Sequence, residues 1–322
     1  MRRDDRPSAS CAVKALVTGA GGFVGRHLMA HLEELGDDTI GTDRAHGGPD
    51  LLDAEAMAVL LKNAAPEVVY HLAGWADVGA SWKEPQAAFV ANALGTLSLL
   101  DACRAAGVRR VVNVSSADVY GRVAPADLPI SERQPLAPVT PYAASKVAAD
   151  YLGLQAWLGY GLEVIRVRAF NHLGPGQSEA FLAPAVAMKI ARNERNGGDE
   201  VTVGNLEPQR DITDVRDVVR AYRLLVEHGE AGEVYNVCSG RALEVREICE
   251  RLLAMANRPM RLVADAALQR PVDTPVLIGD NTRLRDTTGW QPSIRIEQTL
   301  TDLLAHCRAR AAAEIAAPPA VP

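Results

Sequence analysis

Residues 13–25 read Val13-Lys14-Ala15-Leu16-Val17-Thr18-Gly19-Ala20-Gly21-Gly22-Phe23-Val24-Gly25, and the fold follows from how this run is parsed. Val13 to Thr18 is short, largely apolar and β-prone, the pattern of a buried strand. A glycine-rich turn interrupts it, and Arg26 to Leu35 then repeats apolar residues at helical spacing until Gly36 stops the helix. In this order each glycine has a task. Gly19 allows the tight turn, Gly22 lets a ligand approach the backbone, and Gly25 lets helix and strand pack closely. The unpaired N–H groups opening the helix would hold an anion such as a pyrophosphate.

Working outward, Thr39-Ile40-Gly41-Thr42 forms a second strand ending at Asp43. That is about 20 residues past the glycines, where an acid meets the ribose of a bound dinucleotide. A carboxylate there accepts from the 2′-OH of NAD and repels the 2′-phosphate of NADP. Arg44 follows and suits a phosphate, so the expected cofactor is NAD or NADP, with NAD favoured by Asp43. Val68 to His71 is a third strand, running into Leu72-Ala73-Gly74, and His71 within that apolar run reads as a core residue. A helical stretch from Pro85 to Ala106 follows, then strands at Arg109–Ser116, Val164–Arg168 and Glu233–Val237.

Helices alternating with short apolar strands predict an α/β fold with a doubly wound parallel sheet. The segments Phe181–Arg195, Val201–Val203, the loop Arg210–Asp217 and the run from Arg241 to Trp290 do not continue it, and they predict a smaller α/β lobe over the carboxyl ends of the strands. The expected layout is a disordered leader at 1–12 and a dinucleotide-binding domain at 13–171, to which the chain returns at 213–239. The lobe takes 172–212 and 240–306, and a frayed then disordered tail takes 309–322.

The chain has 322 residues, 48% of them hydrophobic and 23% charged, with a net charge of −6. An acidic balance without basic blocks argues against a nucleic-acid partner. Cys11, Cys103, Cys238, Cys249 and Cys307 are scattered, without C-x-x-C pairs, so neither a metal site nor disulfides are expected. No apolar run approaches the ~20 residues that span a bilayer. The expectation is a cytoplasmic protein without membrane contact.

Thr140-Pro141-Tyr142-Ala143-Ala144-Ser145-Lys146 carries the chemistry. Thr140 suits a helix cap and Pro141 its first position, which puts Tyr142 and Lys146 on one face, four residues apart. A free tyrosine ionises near pH ~10. A neighbouring ammonium is expected to lower that value and let the hydroxyl trade protons with a substrate oxygen.

These stretches include T-G-A-G-G-F-V-G at 18–25, H-L-A-G at 71–74, V-S-S-A-D-V-Y-G at 114–121, P-Y-A-A-S-K at 141–146, R-A-F-N at 168–171 and R-D-I-T-D-V-R-D at 210–217. In this order the chain, over about residues 13–305, resembles the extended short-chain dehydrogenase/reductase family, in its nucleotide-sugar branch. The resemblance implies a Rossmann-type domain and Ser116, Tyr142 and Lys146 as catalytic residues. Ser116 would hydrogen-bond the reacting oxygen, Tyr142 would pass its proton, and Lys146 would bridge the nicotinamide ribose. Gly19, Gly22, Phe23, Val24 and Gly25 would hold the pyrophosphate. Asp43 and Arg44 would meet the adenosine ribose, and Asp50 with Leu51 the adenine. Leu72, Ala73, Gly74 and Asn92 complete the implied cofactor wall. Asn171, Arg210 and Arg270 match positions that hold a sugar-nucleotide diphosphate, while Phe181, Leu182 and Asn205 match positions near its base. Trp75 falls by the nicotinamide end, where it would either shape the sugar pocket of the substrate site or fill the core. The family also implies a homodimer, through helices at about 88–106 and 142–158.

The implied reaction moves hydride at C4 of a nucleotide-diphosphate hexose. Dehydratases of the family carry T-D-E before V-Y-G, whereas this chain has Ser116-Ala117-Asp118, so the acid expected at 117 is missing. F-N-H-L-G-P-G-Q at 170–177, V-G-N-L-E-P-Q-R-D at 203–211 and R-P-V-D…G-D-N at 270–281 look most like GDP-4-dehydro-6-deoxymannose reductases. An NAD-dependent 4-epimerase is the alternative, although Ala76 stands where epimerases use a lysine near the cofactor. A non-catalytic dinucleotide sensor is a third reading, disfavoured by the intact Ser116, Tyr142 and Lys146.

Overall fold

Strand–helix alternation winds the first half of the chain into one sheet. β1 (Lys14–Thr18), α1 (Phe23–Glu34), β2 (Asp38–Thr42), α2 (Ala54–Ala64) and β3 (Val68–His71) come first. Short helices α3 (Val78–Ser81) and α4 (Pro85–Phe89) then lead through one π-helical turn, Val90–Leu94, into α5 (Gly95–Ala106). β4 (Arg110–Ser116), α6 (Pro141–Tyr160) and β5 (Glu163–Ala169) follow. The second half contains β6 (Asn171–Leu173), α7 (Leu182–Asn196), β7 (Glu200–Val203), β8 (Gln209–Asp214), α8 (Val215–His228) and β9 (Val234–Val237). It ends with β10 (Ala242–Glu244), α9 (Val245–Ala254), β11 (Arg261–Ala264), β12 (Val276–Leu277), α10 (Thr282–Thr288) and α11 (Ile296–Ala316). The computed structural model describes residues 12–268 and 274–316; Arg270 and the leader before Ala12 lie outside them.

The large sheet is parallel, in the order β2-β1-β3-β4-β5-β9. From β1 the chain winds outward to β2, then back across to β3, and a ligand crevice opens where that direction reverses. Successive residues of β1 serve opposite faces, as strand geometry requires. Ala15 and Val17 join α1 and α8 through Leu28, Leu32, Val218, Tyr222 and Leu225. Leu16 joins α2, α5 and α6 through Met57, Leu61, Leu99, Cys103 and Ala156. Each fully buried leucine here contributes roughly 1.5–3 kcal/mol. The sheet is thus covered on both faces, as the strand pattern predicts.

A separate core, including Ile190, Val201, Leu252, Leu300 and Leu303, packs α7, α9, α11 and β7 together. Beside it, β8 pairs antiparallel with β10 and parallel with β12 and β6, while β7 pairs with β11.

Two expectations need correction. The stretch 210–217 is no loop: β8 runs to Asp214, and α8 starts at Val215. Its acids suggest solvent, but Asp211 and Asp217 are buried on backbone N–H groups. Asp211 accepts from Ser239, Gly240 and Gly279, and Asp217 from Ser293 and Ile294. The tail is also more ordered than expected, since α11 continues to Ala316. Alanine is the best helix former, and Arg310 and Glu314 are tied to Glu179 and Arg192. Residues 317–322 lie outside the described part.

Candidate active site

The carboxyl ends of β1 to β5 and the smaller lobe enclose a cavity of about 790 Å³. At one end is the glycine turn. Gly19 has φ +72°, and a Cβ there would lie 2.8 Å from the Ala73 backbone nitrogen. A Cβ on Gly25 would lie 2.1 Å from the Gly19 carbonyl oxygen, so α1 could not come this close to the turn with any other residue. Gly22 caps α1 without a side chain, which leaves the first N–H groups of the helix facing the cavity. Gly19, Gly22, Phe23, Val24 and Gly25 all line it.

Asp43 at the end of β2 also lines the cavity, with Oδ1 accepting from the Ala45 N–H at 2.9 Å and Oδ2 from Gly21 at 3.2 Å. Arg44 is exposed and pairs with Asp50 at 2.9 Å. The Leu52 N–H and then Arg44 hold the Asp50 carboxyl below the usual range. Leu51, Leu72, Ala73, Gly74 and Trp75 continue the wall. A glycine cradle that side chains would fill, a bare helix N-terminus and a carboxylate at the second strand together fit a dinucleotide.

Asn92 does not line the cavity. The π-helical turn aims it at the wall from behind: Oδ1 accepts from the Trp75 N–H at 2.8 Å, and Nδ2 donates to the Trp75 carbonyl and the Ser145 hydroxyl. A helix of ordinary pitch was expected here; the extra residue of a π turn is a frequent mark of functional positions.

α6 brings the Tyr-Lys pair to the opposite wall. Thr140 Oγ1 accepts from the Ala143 N–H and Pro141 occupies the first helical position, as the sequence predicts. Ser116 at the end of β4, Tyr142 and Lys146 all face the cavity. The electrostatics differ from expectation. Burial first, then the Asp118 carboxylate, push the Tyr142 hydroxyl above its ordinary pKa, while hydrogen bonding to Ser116 pulls it back. Lys146 donates to the Val114 carbonyl at 3.0 Å, and desolvation lowers its pKa to about 8. In this structure the tyrosine is a phenol at neutral pH. The expected lowering by the ammonium does not appear: loss of water dominates, and the Ser116 hydrogen bond is what opposes it.

Asn171, Phe181 and Arg210 border the cavity from the lobe side. Arg210 Nη1 donates to the Gln209 and Thr274 carbonyls. Two expected base contacts lie elsewhere: Leu182 packs into the lobe core, and Asn205 is exposed and caps its own turn at the Glu207 N–H. His71 is a core residue, held between the Thr18 and Thr96 hydroxyls at 2.9 and 3.0 Å, and burial drives its pKa down to about 3.

The lining residues that sequence reasoning missed include Asp118, His172, Gln177 and Tyr222. Asp118, His172 and Gln177 stand inside quoted motifs, which was the available signal. Tyr222 lies mid-helix in α8 and gave none.

Residues 15–238 match the model of the NAD dependent epimerase/dehydratase family. The chain belongs to this family. It is 40% identical over 299 residues to a GDP-6-deoxy-D-mannose reductase of Pseudomonas aeruginosa, covering 92% of this chain and 98% of that one. Among family structures, RMD from Pseudomonas aeruginosa complexed with NADPH superposes with a TM-score of 0.84 at 39% identity, over 92% of this chain and 99% of that one. The UDP-glucose 4-epimerase of Thermus thermophilus in complex with NAD gives 0.81 at 29%, over 91% and 98%. Family members with either dinucleotide thus share this fold.

Proposed function

We propose that this chain is an NAD(P)-dependent nucleotide-sugar reductase that reduces the 4-keto group of GDP-4-keto-6-deoxymannose. The observation that carries this reading is Tyr142, a phenol kept protonated by burial and Asp118 on the wall of the cavity that also holds the glycine turn. As a neutral phenol it has a proton to give; burial and Asp118 tighten its hold on that proton, and hydrogen bonding to Ser116 offsets part of the rise.

The glycine turn, Asp43 and Lys146 would hold the dinucleotide, whose reduced nicotinamide supplies a hydride when bound. Tyr142 delivers its proton to the C4 oxygen. Ser116 donates to the same oxygen and stabilises the charge that develops on it. Asn171 and Arg210 present donors to the diphosphate, and arginine suits that anion through its planar fork. Phe181 and Trp75 shape the ends of the sugar-nucleotide site.

The name of the 40%-identical relative supports the choice of substrate. A second reading, a 4-epimerase that keeps its NAD, draws support from Asp43 and from the likeness to an epimerase in complex with NAD. Purified protein mixed with NADH or NADPH and the 4-keto sugar nucleotide separates the two. Stoichiometric cofactor oxidation supports the reductase. Interconversion of 4-epimers without net oxidation would replace it with the epimerase, and absence of both would end both readings.

Assembly belongs to the same proposal. Phe89, Val90, Leu94 and Leu97 on the α4–α5 run, with Tyr151, Leu158 and Tyr160 on α6, are exposed apolar residues. These are the helices through which the family resemblance implies a homodimer. Cys103, Cys238, Cys249 and Cys307 are buried free thiols, which suits a reducing compartment such as the cytoplasm.

A further inference from the structure

A second cleft, of about 520 Å³, lies between α1 and α11 and shares no lining residue with the main cavity. Its wall is Arg26, His27, Pro175, Gly176, His306 and Arg310: four basic side chains and no carboxylate. His306 and Arg310 are one helical turn apart on α11 and face the adjacent pair on α1.

The donors are held in place. Arg26 donates to the Gly21 and Gly176 carbonyls, and the His27 ring bonds the Pro175 carbonyl at 2.9 Å. Arg310 pairs at one edge with Glu179 at 3.1 Å, while among the described residues no carboxylate forms an ion pair with Arg26, His27 or His306. A guanidinium carries five N–H donors, so both arginines keep donors for a ligand. The two guanidinium groups at this opening, one of them already paired with Glu179 at its edge, give it a positive field that favours an anion between them. His306 feels that field: desolvation first, then Arg310, Arg26 and His27, lower its pKa.

We propose that this cleft is a second anion site, which takes the phosphate or diphosphate group of a small molecule. Bidentate guanidinium contacts from Arg26 and Arg310 match that group, and the two imidazoles add donors when protonated. The site stands on these residues alone and does not depend on which sugar nucleotide the main cavity takes.

The test uses the full chain saturated with NADPH, titrated separately with inorganic phosphate and with pyrophosphate while the histidine ring resonances are followed by NMR. His306→Gln assigns its signal. Binding in the cleft moves the His306 and His27 signals saturably and raises the pKa of His306, because an anion favours the imidazolium. Arg310→Gln, an exposed change far from the glycine turn, should weaken the better of the two anions about tenfold. A larger response to pyrophosphate assigns the site to diphosphates, and an equal response assigns it to single phosphate groups. The proposal is overturned if sodium chloride of matched ionic strength moves the signals as much, since that is screening. It is equally overturned if Arg310→Gln binds as the parent does, or if His306 does not respond to either anion.

Discussion

At the scale of single residues, the site depends on two groups whose protons desolvation controls. Tyr142→Phe removes the donor but keeps the ring, so dinucleotide affinity should hold while kcat falls about 10²–10⁴-fold. Dinucleotide titration with parallel turnover assays checks this, and a near-parental kcat would remove Tyr142 from the reaction. Lys146 sets the pH response. Its pKa is lowered to about 8 by burial, so it is charged below that pH and loses its proton as pH rises through it, whereas a free lysine stays charged. The kcat/KM for reduction should therefore decline above about pH 8, and a profile flat well beyond it would contradict the role. The residue types were legible in the sequence because Y-x-x-x-K fixes a shared helix face. Their protonation was not, because it follows from water excluded by distant parts of the chain.

At the scale of elements, two devices fix the geometry of the cavity walls from behind. The π turn before α5 aims Asn92 at the Trp75 backbone and at Ser145 of α6, and so joins the cavity wall to α6. Asn92→Ala should weaken dinucleotide binding by about 1–3 kcal/mol, measured by titration, with a smaller effect on kcat at saturation. The second device is Asp150 of α6, fully buried, which pairs with Arg166 at 2.7 Å and Arg168 at 3.0 Å on β5. Asp150→Asn leaves two buried guanidinium groups without their carboxylate. Denaturant unfolding should show a loss of about 3–5 kcal/mol. A loss within error would show that water reaches the pair. The family resemblance named Asn92 as part of the cofactor wall, but neither its place behind that wall nor the Asp150 pair was legible beforehand. An arginine in a strand looks like a surface residue, and an asparagine in a helical run gives no hint of a π turn, until the neighbouring element is in place. The strands and helices themselves were legible wherever apolar periodicity was strong. The run Arg210–Asp217 failed because its acids are satisfied by backbone N–H groups from segments far along the chain.

At the scale of the whole molecule, the described surface concentrates apolar residues on α4–α5 and α6. Leu158 is 73% exposed and Tyr151 53%. Tyr151→Glu combined with Leu158→Glu should convert a dimer to a monomer in light scattering, with the far-UV spectrum retained. A parent protein that is already monomeric would sink the dimer. The general plan, a parallel sheet with a lobe over its carboxyl edge, was readable from alternation and motif order. The division of labour inside the lobe was not, so Leu182 and Asn205 were assigned to a cavity they do not line. The order in which strands enter the sheet has a consequence for biosynthesis. β5 gains its outer neighbour only when Val234–Val237 is added, after β6, α7, β7, β8 and α8 have been made. A growing chain therefore emerges with an unpaired edge on β5 for more than sixty residues of translation (Ala169 to Val234). Such edges invite pairing with other chains, so the nascent protein should depend on holding factors until that late strand arrives.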